Sequence, residues 1–116
     1  MDMAAVEPCD VISMADLLEH IPYPRAALQR ARALLRHQGV LFLSMPNMDC
    51  VTWRGLDAAK TNPYWQELEH FHNFTRATLY SLLEVNGVLS CLCLFPGGSL
   101  CGCSLGVVVL LATCTK

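Results

Sequence analysis

The fold is decided by two strand-like stretches, Asp10-Val-Ile-Ser-Met14 and Val40-Leu41-Phe42-Leu43-Ser44, and by what lies between them. The first is led by an acidic residue, and the second is a continuous apolar run that ends at Pro46-Asn47. Strands without polar alternation are typical of a parallel sheet that is covered on both faces. Since short connections join strand, helix and strand here, the sequence predicts a βαβ unit.

The segment between these stretches predicts a helix over residues 24–36. Apolar side chains recur there at spacings of three and four, and polar or basic side chains occupy the other side. Pro22 and Pro24 close the preceding turn, and Pro24 opens the helix because the first helical position needs no N–H group. Gly39 is predicted to end it. The apolar side consists of Ala27, Leu28, Ala31, Leu34 and Leu35.

A long connection over residues 48–72 shows no clean period and contains Trp53, Tyr64 and Trp65. Connections of this length inside a compact domain are usually functional loops or lids. The three aromatic side chains are expected either to stack on a bound molecule or to cover the sheet.

A second helix is predicted from Thr75, as N-cap, to Asn86, with Gly87 as its C-terminal stop. Phe74 and Leu79 have the spacing of a hydrophobic staple, in which side chains on either side of the N-cap pack together.

The last segment, residues 88–116, is apolar and cysteine-rich. It holds five of the seven cysteines and no charged side chain before Lys116. Residues 89–95 and 105–112 predict two strands joined by Pro96-Gly97-Gly98. Two Cys-x-Cys pairs, at 91/93 and 101/103, allow a zinc site, but the spacing differs from the usual Cys-x₂-Cys and favours free buried thiols.

The composition limits the partners and the compartment. The 116-residue chain is 53% hydrophobic and 16% charged, with a formal net charge of −2. A small domain buries so much apolar surface poorly by itself, so a partner chain or a second copy is expected to cover the sheet edge. There is no basic footprint for nucleic acid. The N-terminus has no signal-peptide core, and an odd number of cysteines favours a reduced, cytoplasmic setting. The apolar run 100–112 is shorter than the ~20 residues of a membrane span.

Three segments together carry a resemblance to a known family. Residues 10–24, with the Leu18-Glu19-His20 triplet, residues 33–47, and residues 70–87 resemble successive parts of class I S-adenosylmethionine-dependent methyltransferases of the ubiquinone-biosynthesis-like group. The resemblance covers residues 9–87. It implies an α/β, partial Rossmann-like fold: the second half of a mostly parallel, doubly wound sheet within one domain over residues 1–116.

The sequence departs from that family in three places. No Gly-x-Gly-x-Gly turn occurs in the 116 residues, although family members hold the cofactor there. The turn before the second strand is His37-Gln38-Gly39 where Pro-Gly-Gly is usual, and the last segment lacks the usual charged residues. The sequence therefore predicts an incomplete domain.

The resemblance also assigns candidate site residues. In an open α/β sheet the ligand lies beyond the carboxyl ends of the strands. S-adenosylmethionine is expected against Met14, Ala15, Asp16 and Leu17, although Asp16 also suits the polar cap of a short turn. The expected catalytic residues are His20, as general base, and Glu19, and the expected substrate-binding residues are Asn47, His70 and His72.

Two alternatives remain open for the Glu-His pair. It suits an anchor for the turn, through hydrogen bonds to backbone, as well as it suits catalysis. Together with Asp16 and one of His70 or His72 it also resembles the metal site of small-RNA 2′-O-methyltransferases. The same residues recur in metal-free relatives, so no metal is assigned.

The sequence thus predicts a methyltransferase that uses S-adenosylmethionine and an unidentified, small-molecule or other methyl acceptor. The alternatives are a non-catalytic remnant that binds a protein partner and a tail-anchored membrane protein.

Overall fold

The computed structural model describes residues 6–91 and 107–113, and side-chain positions for residues 6–88. Two single 3₁₀ turns, Leu18–His20 and Pro63–Gln66, lie in the connections. In chain order the elements are β1 (Cys9–Ala15), α1 (Pro24–Leu34), β2 (Leu35–Pro46), α2 (Val51–Ala58), α3 (Arg76–Val85), β3 (Leu89–Cys91) and β4 (Val107–Thr113).

The strands form one four-stranded sheet in the order β1-β2-β4-β3. β1 and β2 pair in parallel, which confirms the βαβ unit, and the two remaining pairs are antiparallel. The helix α1 makes the crossover that a parallel pair needs. An α/β fold with a parallel pair at one side confirms the predicted fold class.

The core lies between the sheet and its helices. Along β2, Leu41, Leu43 and Met45 are fully buried and alternate with half-buried residues, so one face of the strand forms the core. Leu28 of α1 and Leu79 of α3 are fully buried in the same cluster. Both helices therefore pack their apolar stripes on the sheet.

The predicted end of the first helix was wrong. α1 ends at Leu34, and Leu35 is already extended, with φ −75° and ψ 139°, and buries its side chain in the core. Gln38, at φ 63°, is the left-handed residue of the turn. Gly39 has a different role: a Cβ there would lie 2.9 Å from the Arg36 carbonyl oxygen, so the close backbone approach needs glycine. The strand accordingly begins before residue 40.

The second helix was predicted correctly. α3 has Thr75 as N-cap, and the side chains and N–H groups of Thr75 and Thr78 form a reciprocal capping box. Gly87, at φ 68°, follows the C-cap residue Asn86. A Cβ at Gly87 would also meet the Arg32 guanidinium at 2.6 Å, but that side-chain end can move, so it is the left-handed backbone that favours glycine.

The predicted tail strands are paired where the structure describes them. β3 and β4 run antiparallel, with Leu89 opposite Thr113 and Cys91 opposite Leu111. Residues 92–106 lie outside the described residues, and with them the proposed turn and the Cys-x-Cys zinc hypothesis. Within residues 6–91 and 107–113, no helix combines the length and apolar character needed to cross a membrane.

Candidate functional site at the carboxyl ends of the parallel strands

The chain turns sharply where β1 ends. Asp16 has a φ of 46°, in the left-handed region that aspartate tolerates better than most residues. Its backbone N–H donates to the Ser44 carbonyl at 2.9 Å, which ties the end of β1 to β2. Ala15, Asp16 and Leu17 are exposed at this edge, and Met14 is half-buried. The predicted cofactor-binding residues therefore lie together at the carboxyl end of the parallel pair.

The following 3₁₀ turn is joined to the long connection by its backbone. The carbonyl oxygen of Glu19 accepts hydrogen bonds from the N–H groups of Phe71 (3.0 Å) and His72 (3.2 Å). The imidazole of His72 donates through Nε2 to the Pro22 carbonyl at 3.2 Å. These bonds bring residues 67–72 against the carboxyl end of β1.

Three of the predicted site residues form what we call the histidine cluster: Glu19, His20 and His70. The rings of His20 and His70 meet edge to face, with centroids 4.6 Å apart. One potential ligand atom from each of the three residues lies within 4.8 Å of the others. Glu19 is 2% exposed and the side chain of His70 is 6% exposed, so the cluster is largely shielded from water.

In the neutral form of each histidine ring, a hydrogen bond determines which of the two nitrogens carries the hydrogen. Nδ1 of His20 lies 3.0 Å from the Glu69 carbonyl oxygen, which can only accept, so Nδ1 carries the hydrogen and Nε2 the lone pair. Nε2 of His70 lies 2.9 Å from a carboxylate oxygen of Glu67 and carries the hydrogen there, which leaves the lone pair on Nδ1. That Nδ1 is buried and has no hydrogen-bond partner within residues 6–88.

Glu19 is the other under-satisfied group of the cluster. Its Oε2 is buried and has no hydrogen-bond partner among the residues that the structure describes. Burial raises the pKa of Glu19, and hydrogen bonding to its own backbone N–H and the neighbouring imidazole of His20 oppose that rise only in part. The backbone of Glu19 and the Nδ1 of His20 thus anchor the turn by hydrogen bonds, as one of the two alternatives expected, and the catalytic role stays a prediction.

An open groove of about 460 Å³ lies beside the cluster. Its only ring nitrogens come from His20, and its apolar walls come from Leu17, Leu68 and Phe71. Leu68 and Phe71 are 96% and 57% exposed, so these apolar side chains face solvent in the described structure. The groove therefore presents an apolar surface with the imidazole of His20 and the polar residue Glu69 at its wall.

Two predicted substrate-binding residues are engaged elsewhere. The Oδ1 of Asn47 accepts from the Asp49 N–H at 3.0 Å, and its backbone forms a bridge to Phe74. His72 holds the Pro22 carbonyl as described. Neither residue lines the groove, nor does the Asp16 carboxylate belong to the histidine cluster. His70 belongs to the cluster but lies behind the groove wall.

The long connection contains a helix and a polar cluster that the sequence did not reveal. In what we call the Asp57 cluster, the Oδ1 of Asp57 accepts 2.7 Å hydrogen bonds from both the Asn62 side chain and the Trp65 indole. These two hydrogen bonds hold the pKa of Asp57 below its usual range. Asn62-Pro63, a capping residue followed by proline, was the available sequence signal.

The aromatic residues of the connection stack mainly on one another. Trp53, which is 1% exposed, stacks on Tyr64 at 5.0 Å between centroids, and Tyr64 stacks on His70 at 6.0 Å. Trp53 also meets Trp65 edge to face at 5.7 Å. This column supports the ring of His70, and Trp53 is not part of the core cluster on the sheet, so the two expected roles of these aromatic residues stay predictions.

Comparison with known proteins identifies relatives of residues 3–88, which match the family model described as a methyltransferase domain. A ubiquinone biosynthesis O-methyltransferase from Histophilus somni is 45% identical over 47 residues. That alignment covers 40% of this chain and 20% of the relative. The match thus spans about a fifth of the curated relative.

Solved structures agree on the fold. A SAM-dependent methyltransferase from Thermotoga maritima superposes with a TM-score of 0.66 at 17% identity, covering 95% of this chain and 59% of that one. The magnesium protoporphyrin IX methyltransferase from Synechocystis, solved with bound SAH, gives a TM-score of 0.58 at 17% identity, covering 94% and 46%. At these identities the likeness concerns the fold.

Proposed function

Since the chain belongs to the methyltransferase-domain family, we propose that it takes part in methyl transfer from S-adenosylmethionine to an acceptor held in the groove. The observation that carries the proposal is the position of His20. It lines the groove beside the exposed carboxyl end of β1, and its Nδ1 is held by the Glu69 carbonyl. In open α/β sheets this end of the strands is where ligands bind.

The residues at the end of β1 fit one part of the cofactor. Ala15, Asp16 and Leu17 are exposed, and the Asp16 N–H and the Leu17 carbonyl are held by hydrogen bonds to Ser44 and His20, so the turn is fixed in place. They suit the methionine end of S-adenosylmethionine, which supplies an electrophilic methyl group when bound. The 116 residues contain no glycine-rich turn that would cradle the rest of the cofactor.

On the acceptor side, the groove favours a molecule with an apolar body and one nucleophilic O–H or N–H. The apolar walls contact the body, and the Nε2 lone pair of His20 accepts the hydrogen of the nucleophile. Hydrogen bonding through Nδ1 orients the ring, as a catalytic imidazole requires. Glu19 contributes by holding residues 71 and 72 in place through its carbonyl.

Titration calorimetry of the full 116-residue chain tests the proposal. We expect saturable binding of S-adenosylhomocysteine that is weakened at least several-fold in Leu17→Asp and unchanged in Arg25→Gln, an exposed residue of α1. Leu17→Asp should weaken binding because it places a carboxylate against the carboxylate of S-adenosylhomocysteine. Absence of saturable heat at millimolar ligand would remove the methyltransferase role from this chain.

A second candidate function is a protein-binding module. β1 forms one edge of the described sheet, and Val11 on it is 61% exposed. An exposed edge of this kind pairs readily with a further strand. Light scattering of the purified chain distinguishes the two candidates: a monomer that binds S-adenosylhomocysteine rejects the module, and an oligomer that binds none supports it.

A further inference from the structure

A second groove, of about 370 Å³, lies in the long connection and shares no lining residue with the groove at His20. Its volume is at the small end of the range for ligand sites in proteins. The groove combines a carboxylate, an ammonium group, two primary amides and an indole ring. These groups belong to Asp57, Lys60, Asn62, Gln66 and Trp65.

The carboxylate and the indole of this groove are held in place by hydrogen bonds. The Asn62 side chain and the Trp65 indole both donate to Oδ1 of Asp57 at 2.7 Å, which leaves Oδ2 to a ligand. The lowered pKa of Asp57 keeps the carboxylate ionised at neutral pH. Trp65 remains 56% exposed although its N–H is engaged. Since a cation is attracted both by an indole ring and by a carboxylate, this pair of side chains suits an ammonium group.

Lys60 occupies a backbone position where glycine is usual. It follows the C-cap residue of α2 and has a φ of 57°. The Lys60 N–H donates to the Asp57 carbonyl at 2.9 Å and the Thr61 N–H donates to the Leu56 carbonyl at 3.0 Å, which together form a Schellman motif. The left-handed conformation is disfavoured for a residue with a side chain, and residues kept in it cluster at ligand sites. Among the residues with described side chains, the Lys60 ammonium forms no ion pair, so its charge is available to an anionic group.

We propose that this groove binds a small zwitterion, namely a free amino acid with an apolar or aromatic side chain. The ammonium group of the amino acid lies at Oδ2 of Asp57 beside the Trp65 ring, and its carboxylate lies at Lys60. A carboxylate and an ammonium group that share a groove without pairing complement a molecule that carries both charges. Lys60 repels a simple cation and Asp57 repels a simple anion. The site goes beyond the proposed function, since it involves neither the methyl donor nor the groove at His20.

Nuclear magnetic resonance of the indole N–H groups tests the site in the full chain, which contains two tryptophans, Trp53 and Trp65. The probe is L-phenylalanine. Its matched analogues are N-acetyl-L-phenylalanine, which lacks the cation, and L-phenylalaninamide, which lacks the anion. We expect L-phenylalanine to shift the Trp65 signal saturably. Each analogue should bind about 10-fold more weakly or worse, because it loses a hydrogen bond between charged groups.

Two variants separate binding from folding. Lys60→Gly removes the ammonium group and relieves the left-handed strain, so it should weaken L-phenylalanine binding about 10-fold without lowering the free energy of unfolding in urea. Asp57→Asn keeps an oxygen that accepts the two hydrogen bonds and should weaken binding by a similar factor. Arg54→Gln, at another exposed basic residue of α2, should leave binding unchanged.

The inference would be overturned by any of three results: no saturable shift of the Trp65 signal, equal binding of the three compounds, or equal binding by Lys60→Gly and the unaltered chain. These results are separable from the proposed function. Leu17→Asp, which should weaken S-adenosylhomocysteine binding, should leave L-phenylalanine binding unchanged. If S-adenosylhomocysteine displaces L-phenylalanine, the groove belongs to the cofactor site and a separate amino-acid site is wrong.

Discussion

The Asp57 cluster of the long connection and the histidine cluster, which joins that connection to the turn after β1, each contain a buried polar residue, Asn62 and Glu19, yet they satisfy it differently. In the first, the Asn62 side chain makes two hydrogen bonds and the Asp57 carboxylate receives two. In the second, Glu19 and His70 each leave a buried atom unpaired. A network with its bonds formed stabilises the fold, whereas a partly satisfied one is retained at a cost. Among the described residues, the histidine cluster is therefore the less satisfied of the two clusters.

The largest expected effect comes from removing the centre of the satisfied cluster. Asn62→Ala deletes the cap of the second 3₁₀ turn and the donor to Asp57, so the free energy of unfolding should fall by about 2 kcal/mol. Urea unfolding measures the change. Asn73→Ala is the matched control, since its side chain makes no hydrogen bond within the described ranges, and it should stay within about 0.5 kcal/mol.

Equal losses in both asparagine variants would show that the Asp57 cluster adds no stability. The Asp57 cluster could then no longer be described as a network that stabilises the fold.

An effect of opposite sign is expected in the histidine cluster. Glu19→Gln should raise the free energy of unfolding by about 1 kcal/mol, because a neutral amide is less costly to bury than a carboxylate with one unpaired oxygen. Glu84→Gln, on the exposed side of α3, should change nothing.

Destabilisation by Glu19→Gln would mean that the carboxylate has a stabilising protein partner. The histidine cluster could then no longer be contrasted with the Asp57 cluster as the less satisfied one.

The smallest expected effect is a change in the stability of the fold at acidic pH. Because the pKa of Asp57 is lowered in the folded chain, its contribution to stability is present above the unfolded pKa of about 4 and is lost as pH falls through the folded value. Trp65→Phe keeps the ring but removes the N–H donor, so the pKa of Asp57 should rise toward its ordinary value. A ¹³C carboxyl titration measures it directly, and an unchanged midpoint would contradict the assigned hydrogen bond.

Sequence reasoning succeeded where local signals and burial agreed. Thr75 and Gly87 mark α3 because one supplies a cap and the other a left-handed backbone, and both needs are local. It failed at the end of α1, since Leu35 suits either a helix stripe or a buried strand and only the tertiary core decides. α2 gave no signal because Trp53 is its sole buried residue, so no periodic stripe appears in the sequence.

The site was predictable in its residue types and not in its arrangement. Glu19 and His20 are adjacent, but the choice between His70 and His72 depends on how the connection returns to the sheet. The hydrogen bonds from residues 71 and 72 to the Glu19 carbonyl fix that path and direct His70 inward. No spacing in the sequence encodes a contact between segments so far apart.

The Glu19 carbonyl, which accepts hydrogen bonds from two N–H groups, also determines how the site opens. Because the N–H groups of Phe71 and His72 converge on one acceptor, neither amide can be released while the connection stays docked. Both should therefore exchange hydrogen for deuterium through a single opening event, with the same free energy, and slow together when a ligand occupies the cluster. The hydrogen–deuterium exchange of these two adjacent backbone amides thus measures how long the site stays assembled.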